Sequence, residues 1–190
     1  ELERCELLKI PYLVLHPGAH MDQGVDTGID RVVKALDTVH ERLPDAAVKV
    51  ALEITAGQGT VLGSTFQEIA QLLAGCQQSD RLAVCFDTCH ALAAGYEFRT
   101  PASYDAMWRE FDRVVGMGRL HLLHLNDSKS ERGGRLDRHW HIGAGRIGRA
   151  GFRAIVSHPL LRHLPGIMET PRNGPEDDLK NLRTVRRLAK

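Results

Sequence analysis

Leu82-Ala-Val-Cys-Phe-Asp87-Thr-Cys-His90 is the stretch on which the reading of the fold turns. Its short apolar run, closed by polar residues, is that of a buried strand. The strand ends in a carboxylate, and an imidazole follows three residues later at the start of a helix or turn. The same arrangement recurs on both sides. The runs Tyr12–Leu15, Val48–Leu52, Leu120–Leu125 and Gly166–Met168 deliver His16, Glu53, His124 and Glu169 in the same way. Those five ligand-type residues are separated by 37, 34, 37 and 45 positions, a steady strand–helix period.

Between the runs lie segments of helical period. Ile29, Val32, Val33, Leu36 and Val39 follow a cap expected at Asp26 or Thr27. Phe66, Ile69, Leu72 and Leu73 follow Ser64-Thr65-Phe-Gln-Glu68, which can form a capping box. Tyr104, Met107, Trp108, Phe111 and Val115 follow Thr100-Pro101, a cap with proline at the first helical position. Leu179, Leu182, Val185 and Leu188 mark a last helix. Strands alternating with helices make parallel βαβ units. In a parallel α/β barrel all strand carboxyl ends share one face, where active sites are built, whereas an open doubly wound sheet gathers only the neighbours of its switch point. Five convergent ligands therefore predict an α/β TIM (β/α)8 barrel. Eight such periods take on the order of 300 residues, so this chain is expected to cover the last five β/α units. Three strands are expected upstream, and Glu1–Ile10 reads as the end of a preceding helix. Residues 1–190 hold no linker or low-complexity tract and read as one domain, the C-terminal part of such a barrel.

Composition narrows the classes. An apolar fraction of 43% with a net charge of +1 excludes disorder. No run approaches the roughly 18 apolar residues of a spanning helix, and no leader pattern opens the chain, so a soluble cytoplasmic protein is expected. Cys5, Cys76, Cys85 and Cys89 are scattered and read as reduced thiols.

The strand ends offer imidazoles and carboxylates without an obligatory thiolate, the ligand set of Zn²⁺ or a similar divalent ion. Asp137-Arg138-His139 adds two ligands at i and i+2, on one side of an extended segment. The candidates are His16, Glu53, Asp87, His90, His124, Asp137, His139 and Glu169. They are too many for one tetrahedral site and suit a cluster of two or three ions, as used in phosphoryl hydrolysis.

The motifs Leu15-His16-Pro-Gly-Ala-His20, Leu52-Glu53-Ile-Thr-Ala-Gly57-Gln58-Gly59, Cys85-Phe-Asp87-Thr-Cys-His90-Ala, His124-Leu-Asn126-Asp-Ser-Lys129, Asp137-Arg138-His139 and Met168-Glu169-Thr170 cover nearly the whole chain. In that order they resemble the endonuclease IV family of zinc-dependent apurinic/apyrimidinic endonucleases (AP endonuclease family 2). The resemblance implies three Zn²⁺ ions at the barrel mouth. His16 would bind the first, and Glu53 would bridge the first and second. Asp87, His124 and Glu169 would complete the second, and His90, Asp137 and His139 the third. One family ligand, an upstream His on the first ion, has no counterpart here. Glu53 and Glu169 are the implied catalytic carboxylates, and Gln58, Asn126, Lys129 and Arg138 the implied nucleic-acid contacts. The implied reaction is DNA repair by base excision: hydrolysis 5′ to an abasic site in double-stranded DNA by metal-bound hydroxide, leaving a 3′-hydroxyl and a 5′-deoxyribose phosphate. An abasic nucleotide lacks stacking and pairing and is easily extruded into a pocket. A bacterial monomer is expected, with no membrane partner.

Other residues receive plainer readings. His20, His40, His121, His141, His158 and His163 are expected at the surface or beside ligands. Cys85-x₃-Cys89-His90 could mimic a zinc knuckle, but no second Cys/His pair follows at finger spacing. The basic stretch Lys129–Arg153 is a solvated loop or a phosphate contact. Ile54 departs from the family's frequent polar residue, and strand alternation turns it away from Glu53. Two alternatives stand beside the nuclease reading. One is a divalent-metal sugar isomerase or epimerase on the related barrel, which has no use for the group His90, Asp137 and His139. The other is a metal-binding fragment without catalysis.

Overall fold

Along residues 1–190 of the computed structural model run seven α-helices, two single-turn 3-10 helices and seven strands. The strands are β1 (Tyr12–Leu15), β2 (Lys49–Glu53), β3 (Leu82–Asp87), β4 (Leu120–His124), the two-residue β5 (Asp127–Ser128) and β6 (His139–Trp140), and β7 (Gly166–Ile167). β1, β2, β3, β4 and β7 form one parallel sheet in chain order, and β5 and β6 form a separate antiparallel hairpin. The helices are α1 (Leu2–Leu8), α2 (Val25–Arg42), α3 (Phe66–Gly75), α4 (Thr88–Ala94), α5 (Pro101–Val114), α6 (Gly148–Ser157) and α7 (Asp177–Leu188). None is long and apolar enough to cross a membrane.

Alternation along the strands separates two faces. Leu52, Val84, Phe86 and Leu123 point to the helix-covered face, where they join Phe66, Ile69, Trp108 and Phe111. Phe66 stacks on Tyr96 at 4.0 Å and meets Phe111 edge-on at 5.1 Å. Each fully buried Phe there contributes about 1.5–3 kcal/mol by leaving water. The opposite face carries Ala51, Ala83, Cys85 and Leu122, with Tyr12 and Val14 against them. Continuing this face to the strand ends reaches His16, Glu53, Asp87 and His124.

Register places these ends together. Glu53 lies opposite Cys85, Asp87 opposite His124, and His124 opposite Ile167. Between β3 and β4 the ladder steps from Val84–Leu120 to Cys85–Leu122, leaving His121 as the extra residue of a bulge. Since a one-residue shift flips every side chain, the bulge is what turns His124 to the face of Asp87. His121 itself meets the Tyr12 hydroxyl at 3.0 Å.

Several local expectations need correction. α2 begins at Val25 after Gly24, whose φ of 86° turns the chain, so neither Asp26 nor Thr27 caps it. Asp26 stands in the first turn, where its charge favours the helix dipole. Thr65 caps α3 through Glu68 N–H, but the Glu68 carboxylate accepts from Gly63 and Ser64 N–H rather than closing the box on Thr65. Thr100 and Ser103 form a full capping box on α5. The stretch Lys129–Arg153 is more than a loop, since it contains β6 and the first half of α6.

Candidate metal centre

Glu53 is the hub. It ends β2, is 3% exposed, and its two carboxylate oxygens divide between neighbours. Oε2 meets His16 Nε2 at 3.0 Å, and Oε1 meets His124 Nδ1 at 2.8 Å and His90 Nδ1 at 3.4 Å. Burial pushes the Glu53 carboxyl up, but the bonds to His124, His16 and His90 outweigh it and hold the group well below the usual carboxylate range. His16, half exposed at the end of β1, is raised in turn by its bond to Glu53.

Around His124 three carboxylates converge on one nitrogen. Nδ1 lies 2.8 Å from Glu53 Oε1, 3.0 Å from Glu169 Oε2 and 3.9 Å from Asp87 Oδ2. Burial opposes charging of His124, yet the Cys85, Glu169 and Glu53 bonds raise its pKa strongly. Asp87 is fully buried. Its Oδ1 accepts from His90 N–H at 2.8 Å and so caps α4, while Oδ2 accepts from Asn126 Nδ2 at 2.7 Å. Burial raises Asp87, whereas the bond to His124 lowers Glu169.

The third grouping is a near-equilateral triangle. His90 Nδ1 lies 2.9 Å from the Ile54 carbonyl oxygen, and His139 Nδ1 lies 3.2 Å from the Glu169 carbonyl oxygen. A carbonyl only accepts, so each Nδ1 carries the hydrogen and each Nε2 is left as a free lone pair. Those two Nε2 atoms face each other at 3.3 Å, with Asp137 Oδ1 at 3.2 and 3.3 Å from them. Facing lone pairs repel unless a cation or proton lies between them. Ligand atoms about 2.0–2.2 Å from a tetrahedral Zn²⁺ lie roughly 3.3–3.5 Å apart, so this triangle has the size a zinc ion needs. Burial works against charging His90, but Asp87, Asp137 and Glu53 push it up to about 11. The bond to His90 lowers Asp137.

All eight sequence candidates thus meet at the carboxyl end of the parallel sheet. Four carboxylates there pair only with imidazoles, with no Lys or Arg among the ion-pair partners. Such a donor set, in which the charge of four carboxylates is met by imidazoles alone, fits divalent cations, which would displace the imidazole protons. Cys85 and Cys89 lie beside different groups, the first by Glu53 and His124 and the second by Asp137 and His139, so they form no knuckle. Burial pushes both thiols up to about 12.

A cavity of about 340 Å³ opens over His16, His90 and Asp137, with Gln58, Val61 and Arg138 on its wall. Gly57, at φ 71°, turns the chain behind Gln58, whose Oε1 accepts from Asp137 N–H at 3.2 Å. Arg138 is exposed, and Lys129 lies exposed with its Nζ 3.8 Å from the Trp140 ring centroid. Asn126 is elsewhere than at a nucleic-acid surface. It is 0% exposed, donates to Asp87 and accepts from Glu169 N–H at 2.7 Å, so both ends of its amide orient ligand-bearing segments.

Residues that sequence reasoning did not find complete the support. Thr88 Oγ1 bonds the Asn126 carbonyl at 2.7 Å. Asn181 on α7 donates to Thr170 Oγ1 at 2.8 Å and accepts from Ile142 N–H at 2.9 Å, tying the end of β7 to the segment after His139. Nothing in the local pattern of α7 distinguishes Asn181 from a solvated helix residue. Of the remaining histidines, His141 does stand beside a ligand segment, at Asn181. His40 is neither at the surface nor near a ligand, being 0% exposed in the core.

Residues 1–188 match the family described as "Xylose isomerase-like TIM barrel". The protein named "Probable endonuclease 4" from Geobacter sulfurreducens is 45% identical over 191 residues, covering 100% of this chain and 64% of that protein. The like-named protein from Chloroflexus aggregans is 48% identical, with 100% of this chain and 67% of the relative covered. Among solved structures, endonuclease IV from Thermus thermophilus superimposes with a TM-score of 0.79 at 38% identity, over 98% of this chain and 64% of that one. The chain therefore spans about two thirds of the length of the relatives it matches.

Proposed function

The chain belongs to the endonuclease IV family of xylose isomerase-like TIM barrels, and from that premise we propose that it forms the metal-bearing part of an abasic-site DNA endonuclease. The reaction is hydrolysis of the phosphodiester 5′ to an abasic nucleotide, leaving a 3′-hydroxyl and a 5′-deoxyribose phosphate. His16 and Glu53 would hold a first zinc, Glu53, Asp87, His124 and Glu169 a second, and His90, Asp137 and His139 a third. When bound, the ions supply Lewis-acid polarisation of the phosphate and acidify water at neutral pH. The chain's own residues do the rest. Glu53 and Asp87, buried and bonded on both oxygens, fix the donor geometry. Glu169, half exposed, bonds His124 through Oε2 and keeps Oε1 open to accept a hydrogen bond from water in the site. Gln58 steadies Asp137 at the cavity wall. Arg138 and Lys129 are exposed cations suited to phosphate oxygens of the flanking backbone. The cavity, about 340 Å³, lies within the usual range of small-ligand sites.

One observation carries this reading over a sugar isomerase: the separate triangle of His90, His139 and Asp137 within 3.3 Å of one another. One- or two-metal proton-transfer chemistry leaves that triangle without a role. The test is a zinc count by atomic emission together with a nicking assay on a duplex carrying one abasic site. The expected result is strand scission at that site, abolished by chelator and restored by zinc, with His90→Ala losing one ion per chain. Sugar epimerisation without nicking, or an unchanged zinc count in His90→Ala, overturns it.

A further inference from the structure

Asp127 is a fully buried carboxylate that belongs to none of the candidate ion groups. Its Oδ1 accepts from Ser128 N–H at 2.8 Å and Ile147 N–H at 2.9 Å. Its Oδ2 accepts from Gly143 and Gly145 N–H at 2.9 Å and from Gly148 N–H at 3.3 Å. Gly143-Ala-Gly145-Arg-Ile-Gly148 has the G-x-G-x-x-G spacing usually read as a dinucleotide phosphate cradle. Here the cradle is already filled, by an anion from the chain itself. Gly143 and Gly148 have φ of 77° and 69°. A Cβ on Gly145 would collide with the Ser128 carbonyl oxygen and stand 2.6 Å from Asp127 Oδ1.

The remaining main-chain donors of this segment are also engaged. Ile142 N–H goes to Asn181, Ala144 N–H to the His141 carbonyl, and Arg146 N–H to the Ser128 carbonyl. Every N–H from 142 to 148 therefore has a partner, and four of the seven share one carboxylate. The chain just before this segment is β6, where His139 pairs with Ser128 and Trp140 with Asp127 itself. Lys129 N–H further binds the Arg138 carbonyl at 2.9 Å. Asp127 thus grips the backbone on the far side of His139, while the hairpin grips it on the near side.

We propose that Asp127 is a positioning residue for Asp137 and His139, an internal anion whose nest of backbone N–H groups holds the hairpin in the geometry the third ion requires. This rests on the reading that those two residues and His90 hold an ion. A carboxylate is needed because all five partners are donors. An amide would turn its own NH₂ against at least one of them, leaving buried N–H groups without acceptors.

The test uses Asp127→Ala, Asp127→Asn and Gly145→Ala in the otherwise intact chain, with formate as a diffusible replacement anion. Two readouts are taken: hydrogen exchange at Gly143, Gly145, Ile147 and Gly148 in zinc-free protein, and zinc bound per chain after loading. Asp127→Ala should lose protection at those amides while β1–β4 keep theirs. Its affinity for one ion should weaken about 10–100-fold, the usual effect of removing support behind a ligand. Formate should restore both. Asp127→Asn and Gly145→Ala should show the same losses without responding to formate, and they decide the matter if Asp127→Ala does not fold. Wild-type protection and zinc binding in these variants overturn the proposal, as does a loss in Asp127→Ala that formate leaves unchanged. The ion-site reading is judged separately, by the zinc count of His90→Ala. If that fails, amide protection and formate dependence still decide for or against Asp127.

Discussion

His90 and His139 show how much of a ligand's identity lies in its other nitrogen. Each has Nδ1 pinned to a carbonyl, of Ile54 and Glu169, and so presents Nε2 to a shared point. The sequence shows an imidazole at the right spacing but not the carbonyl that selects its tautomer. For the same reason Asn126, inside a motif that suggests substrate contact, is a buried support for Asp87 and Glu169. His40 is the opposite case, a buried imidazole with no partner at either nitrogen. Burial first, then the Arg81 charge, lowers its pKa from 6.5, with Asp37 and Asp80 opposing weakly. Leaving such a group unsatisfied costs about 1–3 kcal/mol. His40→Leu should therefore be neutral to stabilising at pH 7.5. The sign with pH follows from proton linkage. Above 6.5 neither state is protonated and the imidazole gives no slope. Below 6.5 the unfolded chain binds the proton before the folded one, so wild-type stability falls as pH falls. In urea denaturation the advantage of the variant should widen between pH 7.5 and 5.5. An equal gap at both values would show that His40 is not held neutral.

Among elements, strands and long helices were legible wherever burial imposes a period. β1 to β4 lie within a residue or so of expectation because their apolar runs are continuous, and α3 and α5 start at their Thr caps. What escaped was short or glycine-rich. β5 and β6 have two residues each, too few for any pattern, and α6 carries Gly148 and Gly151 among arginines. Gly151 is nonetheless suited to its place, since a Cβ there would stand 2.8 Å from the Ile147 side chain. The loop between β2 and α3 makes a testable case of an element held from outside itself. Glu68 Oε2 accepts from Gly63 N–H at 2.6 Å and Ser64 N–H at 3.1 Å, closing the loop that carries Gln58 onto the first turn of α3. Hydrogen bonds to a charged acceptor contribute about 1.5–3 kcal/mol in all when partly buried. Glu68→Ala should lower the unfolding free energy by an amount in that range, read as a lower urea midpoint with the slope unchanged. A variant as stable as wild type would mean that water replaces the carboxylate at no cost.

For the molecule as a whole, the near balance of 25 basic against 24 acidic residues conceals a strong local imbalance. Glu53, Asp87, Asp137 and Glu169 are gathered at the carboxyl end of the sheet with imidazoles as their only ion-pair partners, while the large aromatic core sits on the other face. Folding is therefore supplied by one side of the sheet and cation demand by the other. The common strand end was foreseeable from the period of ligand-type residues, whereas the bulge at His121 that turns His124 inward depends on pairing between β3 and β4. In the metal-free protein protons take the place of cations: Asp87, Asp137 and Glu53 overcome burial and raise His90 to about 11, and the bonds to Cys85, Glu169 and Glu53 raise His124 as well. The stability these raised imidazoles confer is fully present below about 6.5, declines as pH rises above it and is gone once pH passes their folded values, so at pH 6.5–8 most of it remains and the zinc-free chain should stay folded. Zinc must displace those protons, so its binding releases them and strengthens as pH rises. One site filled at 100 times its Kd adds about 2.7 kcal/mol, which for a domain of this size is a rise of roughly 5–10 °C in Tm. Calorimetry with and without zinc should show a rise of that order per filled site, larger at pH 8 than at pH 6.5, and reversed by chelator. A Tm indifferent to zinc at both pH values would mean that the carboxylate cluster is satisfied by protons alone, and the cation demand inferred from its geometry would be wrong.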